Sequence, residues 1–207
     1  MSNSLKNFSQ ASENNKTPIL NVLEEWFADC RNILEIGSGT GQHALFFSAK
    51  LPHLRWHCSD LAVNHPSINA WLDDATHANF ERPVVLDVSS PTHWESVRAC
   101  NKQGFDGIFS ANTAHIMPWD SVCDMFQGAA SLLQPLGTFL LYGPFNRDGA
   151  FTSQGNEAFD RQLRASSPDM GIRDDRDIIA QAHRCDLELV DDVAMPANNR
   201  ILIFRKN

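Results

Sequence analysis

The sequence predicts an α/β protein: a doubly wound, mainly parallel sheet with helices on both faces, closed by a C-terminal antiparallel hairpin. Three observations carry this expectation. Short apolar runs alternate with amphipathic stretches from about residue 30 to residue 142, the pattern of βαβ units. The first apolar run passes directly into Gly37-Ser38-Gly39-Thr40-Gly41, which opens a helix. The last two runs, Leu187–Val193 and Arg200–Arg205, are joined through Met195-Pro196-Ala197-Asn198-Asn199. That connection is too short for a crossover helix, so the two strands are expected to be antiparallel.

The elements follow in order. Thr17-Pro18 reads as an N-cap and a first-turn proline, and Ile19, Val22, Leu23, Trp26 and Cys30 recur at helical spacing, which predicts a helix over 18–30. Asn32–Ile36 is a short strand, and Gln42–Lys50 is a helix closed by Leu51-Pro52. Leu54–Ser59 reads as a strand, Asn64–His77 as a helix, and Pro83–Leu86 as a strand ending at Asp87. Thr92-His93-Trp94-Glu95 fits a capping box that starts the next helix. Phe105–Ser110 is a fourth strand, and Val122, Met125, Phe126, Ala129, Leu132 and Leu133 mark one helix face. Pro135-Leu136-Gly137 is expected to end that helix before a fifth strand, Thr138–Tyr142.

Composition narrows the function class. The 207 residues carry 17 basic and 25 acidic side chains, a formal net charge of −8, and 43% are hydrophobic. This suits one globular domain over 1–207, with 1–30 as an N-terminal arm and helix. Acidity argues against a nucleic-acid footprint, which needs clustered Lys and Arg. No run approaches 18 apolar residues, and the polar N-terminus lacks the apolar core of an export signal, so neither a membrane partner nor secretion is expected. The 5 cysteines (Cys30, Cys58, Cys100, Cys123, Cys185) are scattered without a C-x-x-C, so no disulfide scaffold and no metal site is expected. The expected setting is reduced and cytoplasmic, with the oligomeric state open.

Chemistry concentrates in Glu35-Ile36-Gly37-Ser38-Gly39-Thr40-Gly41. Alternate glycines between a strand and a helix let backbone N–H groups approach a ligand at the helix N-terminus, where a Cβ would intrude. The dinucleotide fingerprint G-x-G-x-x-G would put its third small residue at Gln42, so that fingerprint fails at one position. The E-x-G-x-G-x-G form is instead similar to motif I of the class I S-adenosylmethionine-dependent methyltransferases. In that resemblance the helix N-terminus binds the cofactor carboxylate, and Glu35 receives its ammonium group directly or through water. Asp60 ends the second strand, placed for ribose hydroxyls in either cofactor class. Asp87 ends the third and resembles the acid that accepts from the adenine amino group, although an Asp there also suits a turn. With Ser38, Leu61, Val88 and Asn112, these residues make the expected cofactor set. After the fourth strand, Asn112 and His115 are the candidates for orienting or deprotonating an acceptor.

Four segments carry a narrower resemblance, to the methyltransferase-like protein 26 family, over almost the whole length. They are Glu13–Leu20, Glu35–His43, Ala111–Trp119, and the run Tyr142-Gly143-Pro144-Phe145 continuing through Asn156–Asp160 to Gly171-Ile172-Arg173-Asp174. The chain has Asn14 where an Arg is usual in that family. The resemblance implies a seven-stranded Rossmann-like class I methyltransferase fold, S-adenosylmethionine as cofactor, and methyl transfer to a small-molecule acceptor. Segment 143–174 is the candidate substrate lid, rich in polar and aromatic side chains beside glycines. Asn15, Lys16, Tyr142, Phe145, Asn156 and Arg173 are the candidate substrate contacts, while Arg173 with Asp174 and Asp175 also reads as a charge cluster at a helix start. Two other functions stay open: a non-catalytic cofactor-binding scaffold acting through a protein partner, and an NAD(P)-dependent oxidoreductase. The second is disfavoured by the glycine spacing and by the absence of Tyr-x-x-x-Lys.

Overall fold

The computed structural model describes residues 6–207, so the first five residues of the expected N-terminal arm lie outside the described residues. The elements run α1 (Gln10–Trp26), β1 (Asn32–Ile36), α2 (Gln42–Lys50), β2 (Arg55–Asp60), α3 (His65–Leu72), β3 (Phe80–Val85), α4 (Pro91–Cys100) and β4 (Phe105–Ala111). They continue with α5 (Trp119–Leu132), β5 (Leu133–Gly143), β6 (Phe145–Asn146), α6 (Gln154–Ser166), β7 (Arg173–Asp174), α7 (Asp175–Arg184), β8 (Leu187–Met195) and β9 (Asn199–Lys206).

Seven strands form one sheet in the order β3-β2-β1-β4-β5-β9-β8, and β6 pairs with β7 in a small parallel ribbon. The first five strands are parallel, whereas β9 runs antiparallel to both β5 and β8. The expected mostly parallel sheet and its closing hairpin are therefore present. Strand order reverses between β1 and β4, and a crevice at such a switch point is where open α/β sheets bind ligands. The apolar core lies on both faces of the sheet. Trp94, Phe126, Phe139, Ile178 and Phe204 fill one side, and Ile19, Phe27, Phe47, Trp56 and Phe109 the other. Among the described residues, no helix is long and apolar enough to cross a membrane.

Four sequence-based boundaries need correction. Helix α1 starts at Gln10, not at residue 18. Ser9 is its N-cap, accepting from the Ser12 N–H, and Pro18 lies inside the helix, where it cannot donate to the Asn14 carbonyl. Asn15 and Lys16 are thus helical residues rather than part of an arm. Helix α3 stops at Leu72 instead of His77. The chain is drawn off the helix by His77, which bonds the Ser48 hydroxyl at 2.8 Å, and by Asn79, whose amide donates to the carbonyls of Ser48, Leu51 and Leu54. Helix α4 is capped at Ser90, not Thr92, with Pro91 in the first turn, where a missing N–H is harmless. No loop separates α5 from β5: Leu133 is already extended, and Leu136 takes a left-handed φ of 65° within the strand. Pro135-Leu136-Gly137 is an irregular strand segment rather than a helix stop.

Candidate functional site

The loop between β1 and α2 is a left-handed turn at all three glycines, with φ of 76° at Gly37, 57° at Gly39 and 94° at Gly41. L-residues with side chains rarely adopt such angles. The three positions differ in what surrounds them. A Cβ on Gly37 would lie 2.6 Å from the Thr113 methyl carbon, and one on Gly41 would lie 2.8 Å from the Ile68 Cα. A Cβ on Gly39 would meet nothing within 4 Å, so its outer side is open. The turn is tied to β2: the N–H groups of Gly37 and Ser38 both donate to the Ser59 carbonyl, at 2.9 and 3.0 Å.

Two acids brace this turn. Asp60 is buried; its Oδ2 accepts from the Gly39 N–H at 2.6 Å, and its Oδ1 accepts from the Leu61 N–H and the Asn64 amide at 2.7 and 2.8 Å. Since a carboxylate oxygen has two lone pairs, Oδ2 keeps one for a further donor. Leu61 is half-exposed beside it. Glu35 is only 1% exposed and lies beneath the turn, where it accepts from the Trp56 indole N–H at 3.1 Å and bonds the Ser38 side chain. Burial pushes its carboxyl up to about 7, against the pull of those two bonds. Sequence reasoning singled out both acids but not Gln42, the first residue of α2. Its Oε1 accepts from the Ser9 N–H at 2.6 Å, whereas its buried Nε2 has no partner among the described residues. The strand–glycine–helix pattern contained the only signal for Gln42, as the first side chain after the turn.

Asp87 lies just past β3. Its Oδ1 accepts from the Ser89 N–H and hydroxyl, and these bonds hold its pKa below the ordinary carboxylate value. It is therefore a turn-forming Asp whose other oxygen has no partner among the described residues. Neighbouring Val88 packs on the core, and its carbonyl accepts from the Trp94 indole at 2.8 Å.

Beyond β4 the backbone turns sharply. Asn112 has a left-handed φ of 59°, and its N–H donates to the Tyr142 carbonyl at 2.9 Å. Strain of this kind in a non-glycine residue marks a position that the surroundings hold in place. Two residues earlier, the Ser110 hydroxyl donates to the Ile36 carbonyl and bonds the Thr113 hydroxyl, both at 2.7 Å, which locks this turn to the glycine loop. His115 is buried, its ring 5.4 Å from that of Phe159 on α6 and beside Gly143. Burial first, then the nearby Arg173 charge, lowers its pKa to about 4, so the imidazole is neutral at pH 7.

The candidate substrate contacts are spread more widely. Arg173 donates to the carbonyls of Ala114, Met117 and Asp169 at 3.0, 2.5 and 2.7 Å, and the Gly171 N–H donates to the His115 carbonyl. Arg173 thus fastens the 114–117 loop to the 143–174 segment. The neighbouring charge cluster does start a helix, with Asp174 as the N-cap of α7. Asn156 is buried and donates to Thr152 and to the Asn198 carbonyl. Phe145 is fully buried in the core. Lys16 pairs with Glu13 on its own helix and lies 4.9 Å over the Phe46 ring. Asn15 is buried between His43, whose Nε2 is 2.7 Å from its Oδ1, and the Tyr142 hydroxyl. His43 also bonds the Ser12 carbonyl, and burial lowers its pKa to about 4. A neutral imidazole has one proton, so donating to Ser12 leaves Nε2 as an acceptor; all bonds are satisfied if the Asn15 NH₂ faces His43 and its oxygen accepts from Tyr142.

The family model for a protein of unknown function, DUF938, matches residues 6–206, nearly the whole chain. The chain belongs to that family. Among solved structures, this DUF938 chain is similar to an O-methyltransferase family protein from Burkholderia thailandensis, with a TM-score of 0.80, 14% identity, and coverage of 95% of this chain and 57% of that one. It is also similar to the mitomycin 7-O-methyltransferase MmcR, with a TM-score of 0.78, 16% identity, and coverage of 95% and 55%. Human N-acetylserotonin methyltransferase, solved in complex with S-adenosylmethionine, gives a TM-score of 0.74 at 10% identity, with coverage of 96% and 53%. The DUF938 chain spans little more than half the length of these proteins. Its fold is the class I methyltransferase fold, as the β1–glycine motif implied.

Proposed function

We propose that this DUF938 protein transfers a methyl group from S-adenosylmethionine to a small-molecule acceptor, in keeping with its narrower resemblance to the methyltransferase-like protein 26 family. One observation carries the reading: a left-handed glycine turn, open at Gly39 and braced by Asp60, stands at the switch point of a class I methyltransferase sheet. The residues present fit that cofactor. Gly39 leaves an open cradle, the buried Gln42 amide supplies an unpaired donor at the helix N-terminus for a carboxylate, and Asp60 and Asp87 each keep acceptor capacity for hydroxyl or amino donors. Ser38, Leu61, Val88 and Asn112 complete that set.

When bound, the cofactor supplies an electrophilic methyl group on a sulfonium. The protein's part is then positioning and exclusion of water, which contribute up to about 7–11 kcal/mol in favourable cases. Asn112, fixed in its left-handed turn, presents its amide to the acceptor. His115 is a hydrogen-bonding, orienting group rather than a strong base, because a pKa of about 4 matches the deprotonation of an alcohol or phenol poorly at neutral pH. This favours an acceptor that is already nucleophilic. The 143–174 segment, with Phe159 over His115, is the proposed acceptor lid.

Calorimetry with S-adenosylmethionine, S-adenosylhomocysteine and NAD tests the reading. Binding of both sulfur nucleosides, and not NAD, is expected. Binding of NAD alone overturns it, and cofactor binding with no methyl transfer across a metabolite extract moves the assignment to a scaffold.

A further inference from the structure

A concavity of about 500 Å³ lies outside the glycine crevice, between α5, α6, α7 and the β6–β7 ribbon. Three arginines line it, Arg164, Arg173 and Arg184, together with Trp119 and the edge of the buried Ile172. Two acids, Asp174 and Asp177, line it as well, which leaves a lining charge of +1 (3 − 2) in a chain of net charge −8. Asp174 is already committed: it accepts from the Gly149 N–H and from the Arg176 N–H and guanidinium. Arg184 is exposed and has no hydrogen-bonding or ionic partner among the described residues. Arg164 uses its Nε on Asp160, and Arg173 uses Nε and Nη2 on backbone carbonyls, so both keep further N–H donors. Asn146 lines the space as well, and its buried side-chain Oδ1 has no partner among the described residues.

We propose that this concavity binds a small aromatic molecule bearing a carboxylate or phosphate. The anionic end lies between the Arg164 and Arg184 guanidiniums, whose planar forks match either group. The ring lies against Trp119, and Asn146 stands on the polar side. The occupant reaches the reaction site through Arg173, which faces the concavity while holding the Ala114 and Met117 carbonyls of the His115 loop. Two sources share this chemistry: an anionic arm of the methyl acceptor, or a separate ligand that tunes the loop. Only the choice between them rests on the methyltransferase reading; the binding itself does not.

The test is a titration of the full chain, without cofactor, followed by the ¹⁵N–¹H signal of the Trp119 indole at constant ionic strength. The probes are phenyl phosphate, 4-hydroxybenzoate and, as the uncharged control, benzyl alcohol. The two anions are expected to saturate the shift at millimolar concentration or below, with benzyl alcohol at least tenfold weaker. Arg184→Ala, which removes an exposed and unpartnered side chain, is expected to weaken the anions at least fivefold while leaving the thermal midpoint unchanged. A non-saturating shift, equal binding of benzyl alcohol, or undiminished affinity in Arg184→Ala overturns the proposal. Adding S-adenosylmethionine with 4-mercaptobenzoate, an anion of the same shape whose thiolate is already nucleophilic at neutral pH, then separates the sources: S-adenosylhomocysteine formed with it assigns the site to the acceptor, and binding without turnover assigns it to a separate ligand. Both results keep the anion in this concavity, and failure of cofactor binding leaves the cofactor-free titration intact.

Discussion

The glycine turn after β1 and the 143–174 segment after β5 stand at the same edge of one sheet, yet they hold their polar groups in different ways. In the first, the backbone takes angles that only glycine accepts easily, and capacity is left over: an unpaired Gln42 amide, a spare acceptor on Asp60, and open space at Gly39. In the second, the residues whose types suggested ligand contact bond one another or the main chain. Arg173 holds three carbonyls, Asn156 bonds Thr152 and Asn198, and Asp160 accepts from Arg164 and the Ile172 N–H. Residue type alone therefore does not mark a ligand contact: Asn156 and Asp160 spend their bonds inside the protein, and what remains free in this segment is the outer N–H groups of Arg164 and Arg173.

Substitutions within the glycine turn probe that contrast most strongly. Gly41→Val forces a β-branched residue to φ 94° and drives its Cβ against the Ile68 main chain, which cannot step aside. The left-handed strain of about 1–2 kcal/mol and overpacking of about 1–3 kcal/mol predict a loss of about 2–5 kcal/mol in a denaturant titration. Gly39→Ala takes a similar φ penalty of about 1 kcal/mol but meets no atom. It should stay folded while losing at least tenfold in affinity for S-adenosylmethionine. Cofactor affinity unchanged in Gly39→Ala would show that the open side of the turn is not where the ligand lies.

Acid stability is the next largest effect. His43, which joins α2 to α1, has its pKa lowered from 6.5 to about 4, mainly by burial. Between those values the unfolded chain binds more protons than the folded one, so stability falls as pH drops from 6.5 toward 4. At about 1.4 kcal/mol per pKa unit, this amounts to about 3 kcal/mol. His57 and His115 are lowered in the same sense. Glu35 acts in the opposite sense: its raised pKa gives a contribution present in full below 4.5 and lost as pH rises through about 7. Three groups against one make the acid limb the steep one. His43→Gln, whose amide can still reach Asn15, should flatten that limb by about 3 kcal/mol in melting curves from pH 4 to 7; an unaltered limb would remove His43 from the account.

The braced segment predicts a smaller loss. Arg173→Ala frees two partly buried carbonyls and one exposed one, and at about 1 kcal/mol for each partly buried bond it should cost about 2 kcal/mol, with amide exchange rising over 114–117 before it rises in β1. Exchange rising equally in both places would mean that Arg173 is not the local fastener. This region also shows why the two halves were unequally legible in the sequence. The glycines, Asp60, the strand order and the hairpin follow from short-range patterns, because a left-handed turn or a short connection is specified by adjacent residues. Arg173, Asn156 and Phe145 are paired across 42 to 59 residues or packed in the core, which no local pattern encodes. The misplaced start of α1 has the same origin. Proline at a first turn is a sound local rule, but the Ser9 cap and the Asn15 contacts with His43 and Tyr142 override it.

The smallest expected effect concerns Glu35, the one acid of the turn that is wholly enclosed. With its pKa at about 7, its carboxyl is divided between charged and neutral forms near neutrality. A cationic ligand held above the turn favours the charged form, so binding releases a proton and affinity rises with pH between 6 and 8. One unit of pKa depression on binding corresponds to about a tenfold gain in affinity on the alkaline side. Calorimetry in buffers of different ionisation enthalpy reads the proton directly, and Glu35→Gln, which preserves size and keeps an oxygen for the Trp56 indole, should abolish both the release and the pH dependence. His115→Ala removes a side chain that faces Phe159 and leaves intact the backbone bond from Gly171, so its cofactor affinity should remain within about twofold and keep the same pH profile. If that profile instead followed His115, the charge-sensitive group would belong to the acceptor side of the edge, and the contrast between an enclosed cofactor acid and a neutral acceptor-side imidazole would have to be reversed.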